Sequence, residues 1–253
     1  MKMLKTISLW LCLPFSAVAD EISLHADPWC PYNCQPGPQP GYMIELAQKI
    51  FSKAGHRVNY QLTAWTRAKK QLTEGKISAV VGMSLSKSNA SKWVFPAQNL
   101  GVEQYCFYTK HGASWRYQNI DSLSEISLGI IKSYGYGEVL DSYIKANRST
   151  DKITAISEDS GILRNLKMAS LGRIDATIGN KVVVEQVIKQ NSLSGQIQQS
   201  GCKKDPRPLF IVFSLVDPKA QEYAELLSEG IRAMRASGEL QTILDKYGIA
   251  DWQ

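Results

Sequence analysis

The sequence lacks the short motifs that identify several common enzyme classes. Its 253 residues contain no GxSxG, HExxH, Walker or GxGxxG pattern, so hydrolases, metalloproteases, P-loop NTPases and dehydrogenases of those types have no support. The excess of positive charge is also small, because 29 Lys and Arg against 23 Asp and Glu leave a formal net charge of +6. A small surplus that is spread along the chain does not indicate a nucleic-acid partner.

Long hydrophobic runs are missing as well. The apolar stretch at residues 7–15 is shorter than the roughly 20 residues that a membrane-spanning helix needs. Lys2 and Lys5 precede it and an Ala-Val-Ala segment at residues 17–19 follows, which is the pattern of a secretory signal peptide. We predict cleavage after Ala19. The mature chain is then exported and water-soluble, and the loss of two lysines lowers its formal net charge from +6 to +4.

Cysteine is rare, and four of the five cysteines remain in the predicted mature chain: Cys30, Cys34, Cys106 and Cys202. An even number in an oxidising compartment indicates two disulfides. A local Cys30–Cys34 bridge would leave Cys106 to pair with Cys202, although four cysteines allow other pairings. The C-x3-C spacing and three isolated histidines argue against a metal site. We predict neither a metal nor a cofactor.

Hydrophobic periodicity predicts two α/β units. In the first unit, strands at residues 21–26, 58–62 and 77–81 alternate with helices at residues 43–54 and 65–74. A loop at residues 27–40, rich in Pro and Gly, joins the first strand to the first helix. The second unit starts near residue 120, with strands at residues 127–131 and 153–156 and helices at residues 135–146 and 160–170. Alternating strands and helices predict parallel sheets.

Two segments repeat one pattern. Residues 75–82 and 172–179 share both terminal glycines, an Ile and an Ala, and each strand ends at a glycine where a ligand can approach the backbone. The β-prone runs at residues 102–110 and 208–216 flank the second unit, as the strands of a hinge would. We therefore predict lobe 1 at residues 20–107 and 214–253 and lobe 2 at residues 108–213, with helices at residues 220–235 and 240–247 packed on lobe 1.

The order and spacing of several short motifs resemble family 3 of the bacterial extracellular solute-binding proteins, the polar amino-acid type. The matching segments are GYMIELA (41–47), WTRA (65–68), GMSLS (82–86), FP (95–96), GRID (172–175) and GELQTILDKY (238–247). The WTRA segment is similar to a divergent branch of the family with a W-x-R-A motif. The resemblance implies a type II periplasmic-binding fold of class α/β, with two lobes, a two-stranded hinge and a ligand in the cleft. It also implies a periplasmic monomer that works with a membrane permease or sensor.

Two positions depart from the family pattern. Members that bind α-amino acids have an Arg for the ligand carboxylate where this chain has Asn89, and an Asp for the ammonium group where this chain has Asn180. An amide replaces neither charge. We infer that an ordinary α-amino acid is not the preferred ligand, or is held by other groups.

The predicted ligand site combines aromatic residues after the first strand with loops at the ends of buried strands. Its aromatic faces would enclose an apolar or cationic group, and simple core packing is the alternative. The predicted residues are Trp29, Tyr32, Tyr42, Trp65, Arg67, Gly82, Met83, Ser84, Asn89, Ser133, Tyr134, Gly135, Tyr136 and Asn180.

Arg67 is predicted to reach an anionic ligand group, because a cation gains nothing from the dipole of a helix start. A solvated salt bridge is the alternative. The loop at residues 133–137 could offer N–H groups to an anion, unless it only caps the following helix. Asp159 and Ser160 are expected to cap a helix first and to contact a ligand second.

From these features we predict that the protein captures a small polar solute and delivers it to an ABC-type transporter. A ligand-sensing module for a signalling receptor is the alternative. A dehydratase-type enzyme on the same fold is less favoured, with Asp159 or Glu103 as its candidate acid or base.

Overall fold

Two β-sheets, each covered by helices, organise the chain. The computed structural model describes residues 19–86, 88–157 and 160–253. Most of the predicted signal peptide (residues 1–18) and the predicted helix cap Asp159 lie outside the described residues. No helix in the described part of the chain is both long and apolar enough to cross a membrane.

The first sheet has the strand order β2-β1-β3-β11-β4, and β5 also pairs with β11. Its strands are β1 (Glu21–Ala26), β2 (Arg57–Leu62), β3 (Ala79–Ser84), β4 (Trp93–Val94), β5 (Gly101–Glu103) and β11 (Arg207–Ser214). β1 runs parallel to β2 and β3, whereas β11 runs antiparallel to β3, β4 and β5. The predicted parallel unit thus gains an antiparallel strand from far along the chain. The part of the molecule built on this sheet is called lobe 1.

Four helices cover the first sheet: α1 (Tyr42–Lys53), α2 (Trp65–Thr73), α6 (Ala220–Ser237) and α7 (Glu239–Lys246). The apolar faces of α1, α6 and α7 share one core with the apolar residues of β1 and β11. Gly238, with φ +79°, separates α6 from α7. The two C-terminal helices thus pack on the first sheet and on α1.

The second sheet, with the order β10-β6-β9-β7-β8, forms lobe 2. Its elements are β6 (Tyr105–Lys110), a 3₁₀ helix (Ile120–Glu125), β7 (Leu128–Ile131), α3 (Glu138–Asn147), β8 (Ile153–Ile156), α4 (Gly161–Ser170), β9 (Ala176–Asn180), α5 (Lys181–Gln190) and β10 (Ile197–Cys202). β7 is parallel to β8 and β9, while β6 is antiparallel to β9 and β10. The two lobes are mixed α/β units of the predicted class.

The chain crosses from lobe 1 to lobe 2 between Glu103 and Tyr105, and it returns between Cys202 and Arg207. The predicted boundaries at 107/108 and 213/214 therefore fall inside β6 and at the end of β11. The run at residues 102–110 is two strands that pair in different sheets. β-propensity indicates an extended chain, but the pairing partner depends on packing with distant residues.

Both expected disulfides are present. Cys30–Cys34 closes the loop after β1, and Cys106–Cys202 joins β6 to β10 at a position where the two residues are direct strand partners. The local bridge stiffens a loop, and the long-range bridge joins two neighbouring strands of the second sheet.

Some element bounds differ from the predicted ones. β3 starts at Ala79 and not at residue 77, and α3 starts at Glu138 because Gly137, with φ +101°, precedes it. No prediction covered α5 or β10. The sequence of α5 is rich in β-branched valines, which favour strands over helices.

Candidate ligand-binding site

A cavity of about 560 Å³ lies between the lobes, and both lobes line it. Small-molecule sites typically have volumes of roughly 300–1,000 Å³. Lobe 1 contributes Asp27, Trp29, Trp65, Lys69, Val81, Gly82, Met83, Ser84, Ser86, Ser88, Asn89, Lys92 and Trp93; the crossing segments contribute Glu103, Tyr105 and Arg207; lobe 2 contributes Ser133, Tyr134, Gly135, Gly137, Glu138 and Asp141. The carboxyl ends of β1, β3 and β7 lead into these segments, where parallel sheets place ligands.

Trp29 forms an aromatic wall at the end of β1. Its ring stacks on Tyr32 with centroids 4.7 Å apart, and its backbone pairs with Asn33 inside the loop that the Cys30–Cys34 disulfide closes. A Cβ built on Gly82 would lie 3.4 Å from the Trp29 ring, and Gly82 has φ +86°. A glycine at this point of β3 therefore allows the indole to lie against the strand.

Tyr32 and Tyr42 belong to the core of lobe 1 and do not line the cavity. The Tyr32 hydroxyl donates to the Val102 carbonyl at 3.1 Å, and a Cβ on Gly101 would collide with the Tyr42 hydroxyl. Burial raises the pKa of both hydroxyls above the usual value. The alternative of core packing therefore describes these two rings better than ligand contact.

On α2, Trp65 and Lys69 face the cavity, whereas Arg67 is exposed and does not line it. The helical repeat explains this difference, because residues four apart share a face and residues two apart do not. The Lys69 Nζ lies 5.2 Å from the Trp65 ring centroid and donates to the Ser133 carbonyl at 3.4 Å. Contrary to the prediction, the cation that α2 presents to the cleft is Lys69.

Asn89 lines the cavity, but its side chain is bonded to its own loop. Its Nδ2 donates to the Ser84 carbonyl at 2.9 Å, and its Oδ1 accepts from the Ser86 N–H at 2.8 Å. Met83 and Ser84 lie at the end of β3 and also line the cavity. Asn89 therefore shapes the loop that carries the serines, with both ends of the amide engaged.

Asn180 is buried behind the cavity and does not line it. Its Oδ1 caps α5 by accepting from the Val183 N–H at 3.2 Å, and its Nδ2 donates to the Tyr32 hydroxyl at 3.3 Å. The side chain thus connects lobe 2 to the loop after β1, and it is not placed to contact a ligand.

The loop before α3 enters the cavity through Ser133, Tyr134 and Gly135, while Tyr136 is buried. The Tyr136 hydroxyl accepts from the Ile131 N–H at 2.8 Å, and the Tyr136 N–H donates to Asp141 at 2.8 Å.

Two acids, Glu138 and Asp141, stand in the first turn of α3 and line the cavity. They already complement the positive end of the helix. This loop is therefore a poorer anion site than predicted.

Glu103 and Arg207 form the part of the lining at the crossing segments. They are partners in the β5–β11 pairing, with the Arg207 NH2 2.5 Å from Glu103 Oε1, and Glu103 is only 3% exposed. The Arg207 guanidinium lies 5.5 Å from the Tyr105 ring centroid and donates to the Gly135 carbonyl at 2.9 Å. Burial raises the pKa of the Glu103 carboxyl, and the charge of Arg207 opposes this rise.

Asp27 and Tyr134 meet across the cleft. Asp27 directly follows β1, and the Tyr134 hydroxyl of lobe 2 donates a hydrogen bond to its carboxylate. Burial, and then the charge of Asp27, raises the pKa of the Tyr134 hydroxyl. This hydrogen bond joins the lobes directly at the cavity.

Sequence reasoning missed several lining residues: Asp27, Lys69, Lys92, Trp93, Tyr105 and Arg207. For two of them, the position in the sequence could have predicted a place in the site. Asp27 is the first residue after β1, and Lys69 lies one helical turn after Trp65. Arg207 carried no such signal, because its place in the cavity depends on the pairing of β11 with β5.

The sequence model of the bacterial extracellular solute-binding proteins, family 3, matches residues 23–250. A search of curated proteins finds no match.

Several solved structures share the fold. A histidine kinase sensor domain with similarity to periplasmic binding proteins is 18% identical with a TM-score of 0.75, covering 90% of this chain and 96% of that one. A structure from work on glutathione import through GshT and the cystine ABC importer TcyBC of Streptococcus mutans is 16% identical with a TM-score of 0.75, covering 91% and 95%. The arginine-, lysine- and histidine-binding protein ArtJ from Geobacillus stearothermophilus is 15% identical with a TM-score of 0.73, covering 90% and 95%. The fold is the type II periplasmic-binding fold.

Proposed function

Because the chain belongs to family 3 of the bacterial extracellular solute-binding proteins, we propose that it captures a small polar solute in the cleft between its lobes and delivers it to an ABC-type transporter. The observation that carries this proposal is the cavity of about 560 Å³, to which both lobes contribute polar and aromatic side chains. A ligand held there touches both lobes at once. Capture takes place in the periplasm, after removal of the predicted signal peptide.

Capture works through a shift between open and closed arrangements of the lobes. Within the described residues, two crossing segments connect the lobes, and polar contacts beside the cavity also join them, among them Tyr134 with Asp27, Lys69 with the Ser133 carbonyl, and Arg207 with the Gly135 carbonyl. A solute that contacts both lobes binds the closed arrangement more tightly than the open one. This difference in affinity shifts the population towards the closed arrangement. A membrane permease then recognises the closed form.

The solute is not an ordinary α-amino acid held in the usual way. Asn89 bonds to its own loop and Asn180 lies outside the cavity, so neither residue supplies a charged anchor. The cavity volume of about 560 Å³ lies well inside the range of roughly 300–1,000 Å³ that is typical of small-molecule sites. That space admits solutes larger than a single amino acid, and one structural neighbour comes from work on the import of glutathione.

Sensing is a second candidate function, because a histidine kinase sensor domain is among the structural neighbours. The same cleft would then report a solute to a receptor. Purification of the protein with its membrane partner separates the two roles, since a permease indicates transport and a kinase indicates sensing.

A thermal-shift screen over amino acids, amines, organic acids and short peptides tests the proposed capture. A solute at 100 times its Kd stabilises the folded protein by about 2.7 kcal/mol, which raises the Tm of a chain of this size by roughly 5–10 °C. Small-angle scattering with that solute should show a smaller radius of gyration. The absence of any stabilising solute, or unchanged dimensions with a saturating one, would count against capture.

A further inference from the structure

Lys203 is a largely buried cation in the segment that returns from lobe 2 to lobe 1. It follows Cys202 of β10 and precedes Arg207 of β11, and its side chain is only 10% exposed. Lysine is seldom buried to this degree, because the ammonium group loses its hydration and needs polar partners in exchange. The burial of Lys203 therefore indicates a specific role for its ammonium group.

The ammonium group of Lys203 contacts the loop at residues 133–137, which is called the cavity loop because four of its five residues line the cavity. Its Nζ donates to the Tyr136 carbonyl and lies 3.2 Å from the Asp205 carboxylate. A Cβ built on Gly137 would lie 2.6 Å from the same Nζ. The cavity loop thus passes directly against the ammonium group.

The backbone of Lys203 is held on its other side. Its N–H donates to the Tyr105 carbonyl at 2.9 Å, and Tyr105 is the residue at which the chain enters lobe 2. The preceding residue, Cys202, is bonded to Cys106 by a disulfide and pairs with it in the second sheet. Because both the base and the ammonium group of this side chain are held, Lys203 can fix the position of the loop that it contacts.

A second cation of the return segment holds the neighbouring carbonyl. The Arg207 guanidinium pairs with Glu103 and donates to the Gly135 carbonyl at 2.9 Å. Arg207 belongs to β11 of lobe 1, whereas Lys203 follows β10 of lobe 2. The successive carbonyls of Gly135 and Tyr136 are therefore held from the two ends of the return segment. A change in the angle between the lobes moves these two cations relative to each other and so acts on the cavity loop.

Hydrogen bonds inside the cavity loop allow it to respond as a unit. The Tyr136 hydroxyl accepts from the Ile131 N–H at 2.8 Å, and the Tyr136 N–H donates to Asp141 at 2.8 Å. These bonds tie the loop to the end of β7 and to the first turn of α3. A shift of the Tyr136 carbonyl therefore also moves the backbone that carries Ser133 and Tyr134 into the cavity.

We propose that Lys203 is a positioning residue for solute binding. It holds the cavity loop through the Tyr136 carbonyl and, together with Arg207, couples the position of that loop to the angle between the lobes. Lys203 acts through the loop, since its own side chain does not line the cavity. This inference rests on the proposed function and deepens it, because it names residues that connect the crossing to the site.

Hydrogen exchange read by mass spectrometry on the mature protein tests the contact without any solute. Lys203→Met keeps the apolar stem and removes the donor, so residues 131–137 should exchange at least about tenfold faster, as the loss of a hydrogen bond to a charged group implies. Lys203→Arg keeps a cationic donor and should stay within about twofold of the parent protein. Lys152→Met is the matched control, because Lys152 donates to the Ser124 carbonyl of lobe 2 and neither residue lines the cavity.

The exchange of α4, in the same lobe, separates a local effect from a general loss of stability. Equal exchange of residues 131–137 in the parent protein and in Lys203→Met would overturn the inference. The same holds for an acceleration that Lys203→Arg fails to restore, or for one that affects α4 by the same factor.

Labelling of the parent protein provides a test that needs no substitution. Reductive methylation read by mass spectrometry should modify Lys203 at least about tenfold more slowly than its exposed neighbour Lys204, because reaction at Lys203 requires local opening. The two rates should become equal in urea. Equal rates in the folded protein would overturn the buried contact of Lys203.

Solute affinity separates this inference from the proposed function. Thermal shifts of the parent protein and of both Lys203 variants would be compared with L-arginine, L-glutamate, putrescine, citrate and trialanine as probes. A probe that stabilises the parent protein should bind Lys203→Met about tenfold more weakly and Lys203→Arg with an affinity within about twofold of the parent protein. Equal affinity for Lys203→Met would overturn the role in solute binding. If none of these probes and no solute of the wider screen stabilises the parent protein, the proposed function fails, while exchange and methylation still decide whether Lys203 positions the loop.

Discussion

Tyr134 of lobe 2 donates a hydrogen bond to Asp27 of lobe 1 inside the ligand cavity. The contact connects the residue after β1 with the loop after β7, so its formation depends on the distance between the lobes. The same contact orients a carboxylate that lines the cavity. Under the proposed function, Tyr134 would contribute both to the closing of the cleft and to the binding of a solute.

Tyr134→Phe should favour the open arrangement. Loss of this charge-assisted hydrogen bond costs the closed form about 1.5–3 kcal/mol. Small-angle scattering should show a larger radius of gyration with subsaturating solute, and calorimetry a Kd at least about tenfold higher. Tyr143→Phe is the control, because its hydroxyl donates to the Leu123 carbonyl within lobe 2. Equal behaviour of the two variants would contradict a role for Tyr134 in closure.

Arg207→Met should destabilise the protein by about 3 kcal/mol at pH 7, because it leaves the Glu103 carboxylate buried without its cation. Urea denaturation at several pH values checks this. Burial already raises the pKa of Glu103 above its usual 4.5, and removal of Arg207 raises it further. The folded variant then binds a proton more readily than the unfolded chain, so the deficit is largest above the folded pKa and shrinks as the pH falls towards 4.5.

The double variant Glu103→Gln with Arg207→Met serves as its control. This protein has no buried carboxylate at the crossing, so its stability relative to the parent should lack the pH dependence of the single variant. A deficit of Arg207→Met that stays constant from pH 7 to pH 5 would show that Glu103 is not the group responsible.

The two disulfides should differ in what they stabilise. Cys106 and Cys202 are 96 residues apart, and their replacement by alanine should cost roughly 2–5 kcal/mol in urea denaturation. Cys30 and Cys34 are four residues apart, so their replacement should cost less global stability. It should instead weaken solute binding several-fold, because the loop carries Trp29. Equal losses of stability in both double variants would be evidence against this division.

Gly82→Ala should lower both stability and affinity. The φ of +86° at this residue is unfavourable for alanine by about 1–3 kcal/mol, and the added Cβ would meet the Trp29 ring at 3.4 Å. Tryptophan fluorescence during a solute titration would report the disturbed indole. Gly195→Ala is the matched control, because a Cβ there meets no atom within 4 Å. A Gly82 variant as stable as the Gly195 variant would refute the argument.

Trp65→Ala and Arg67→Ala compare two positions of one helix. Trp65 lines the cavity and Arg67 is exposed outside it. Trp65→Ala should weaken solute binding about tenfold, in line with the loss of an aromatic wall of the cavity, whereas Arg67→Ala should change Kd less than about twofold, as exposed charges usually do. A larger loss of solute affinity in the Arg67 variant than in the Trp65 variant would indicate that Arg67 contacts the solute.

Much of the fold could be predicted from local patterns. The strand at residues 21–26 and the final two helices were predicted to within about two residues, because their alternation or helical periodicity repeats over a full element. The run at residues 102–110 was predicted as one β-prone segment, and the structure divides it between β5 and β6. Its two halves have similar β-propensity, and only their partners, β11 for one and β9 and β10 for the other, distinguish them.

The candidate site was predictable in part for a related reason. Trp29, Trp65, Gly82, Ser84, Asn89 and Tyr134 follow or begin recognisable elements, and they line the cavity as expected. Arg67 and Asn180 were also near the ends of elements, yet the helical repeat turns one outwards and the cap of α5 keeps the other behind the cavity. Proximity to an element end does not specify the direction of a side chain.

The sequence by itself determined the family, the α/β class and the presence of two disulfides. Motif spacing, hydrophobic periodicity and the number of cysteines, on which these predictions depend, are properties of the linear chain. Only the tertiary structure decided that Asp27 meets Tyr134 and that Glu103 pairs with Arg207. Those contacts join residues 107 and 104 positions apart. These contacts depend on the pairing of distant strands and on the relative position of the lobes. A local sequence pattern does not specify either arrangement.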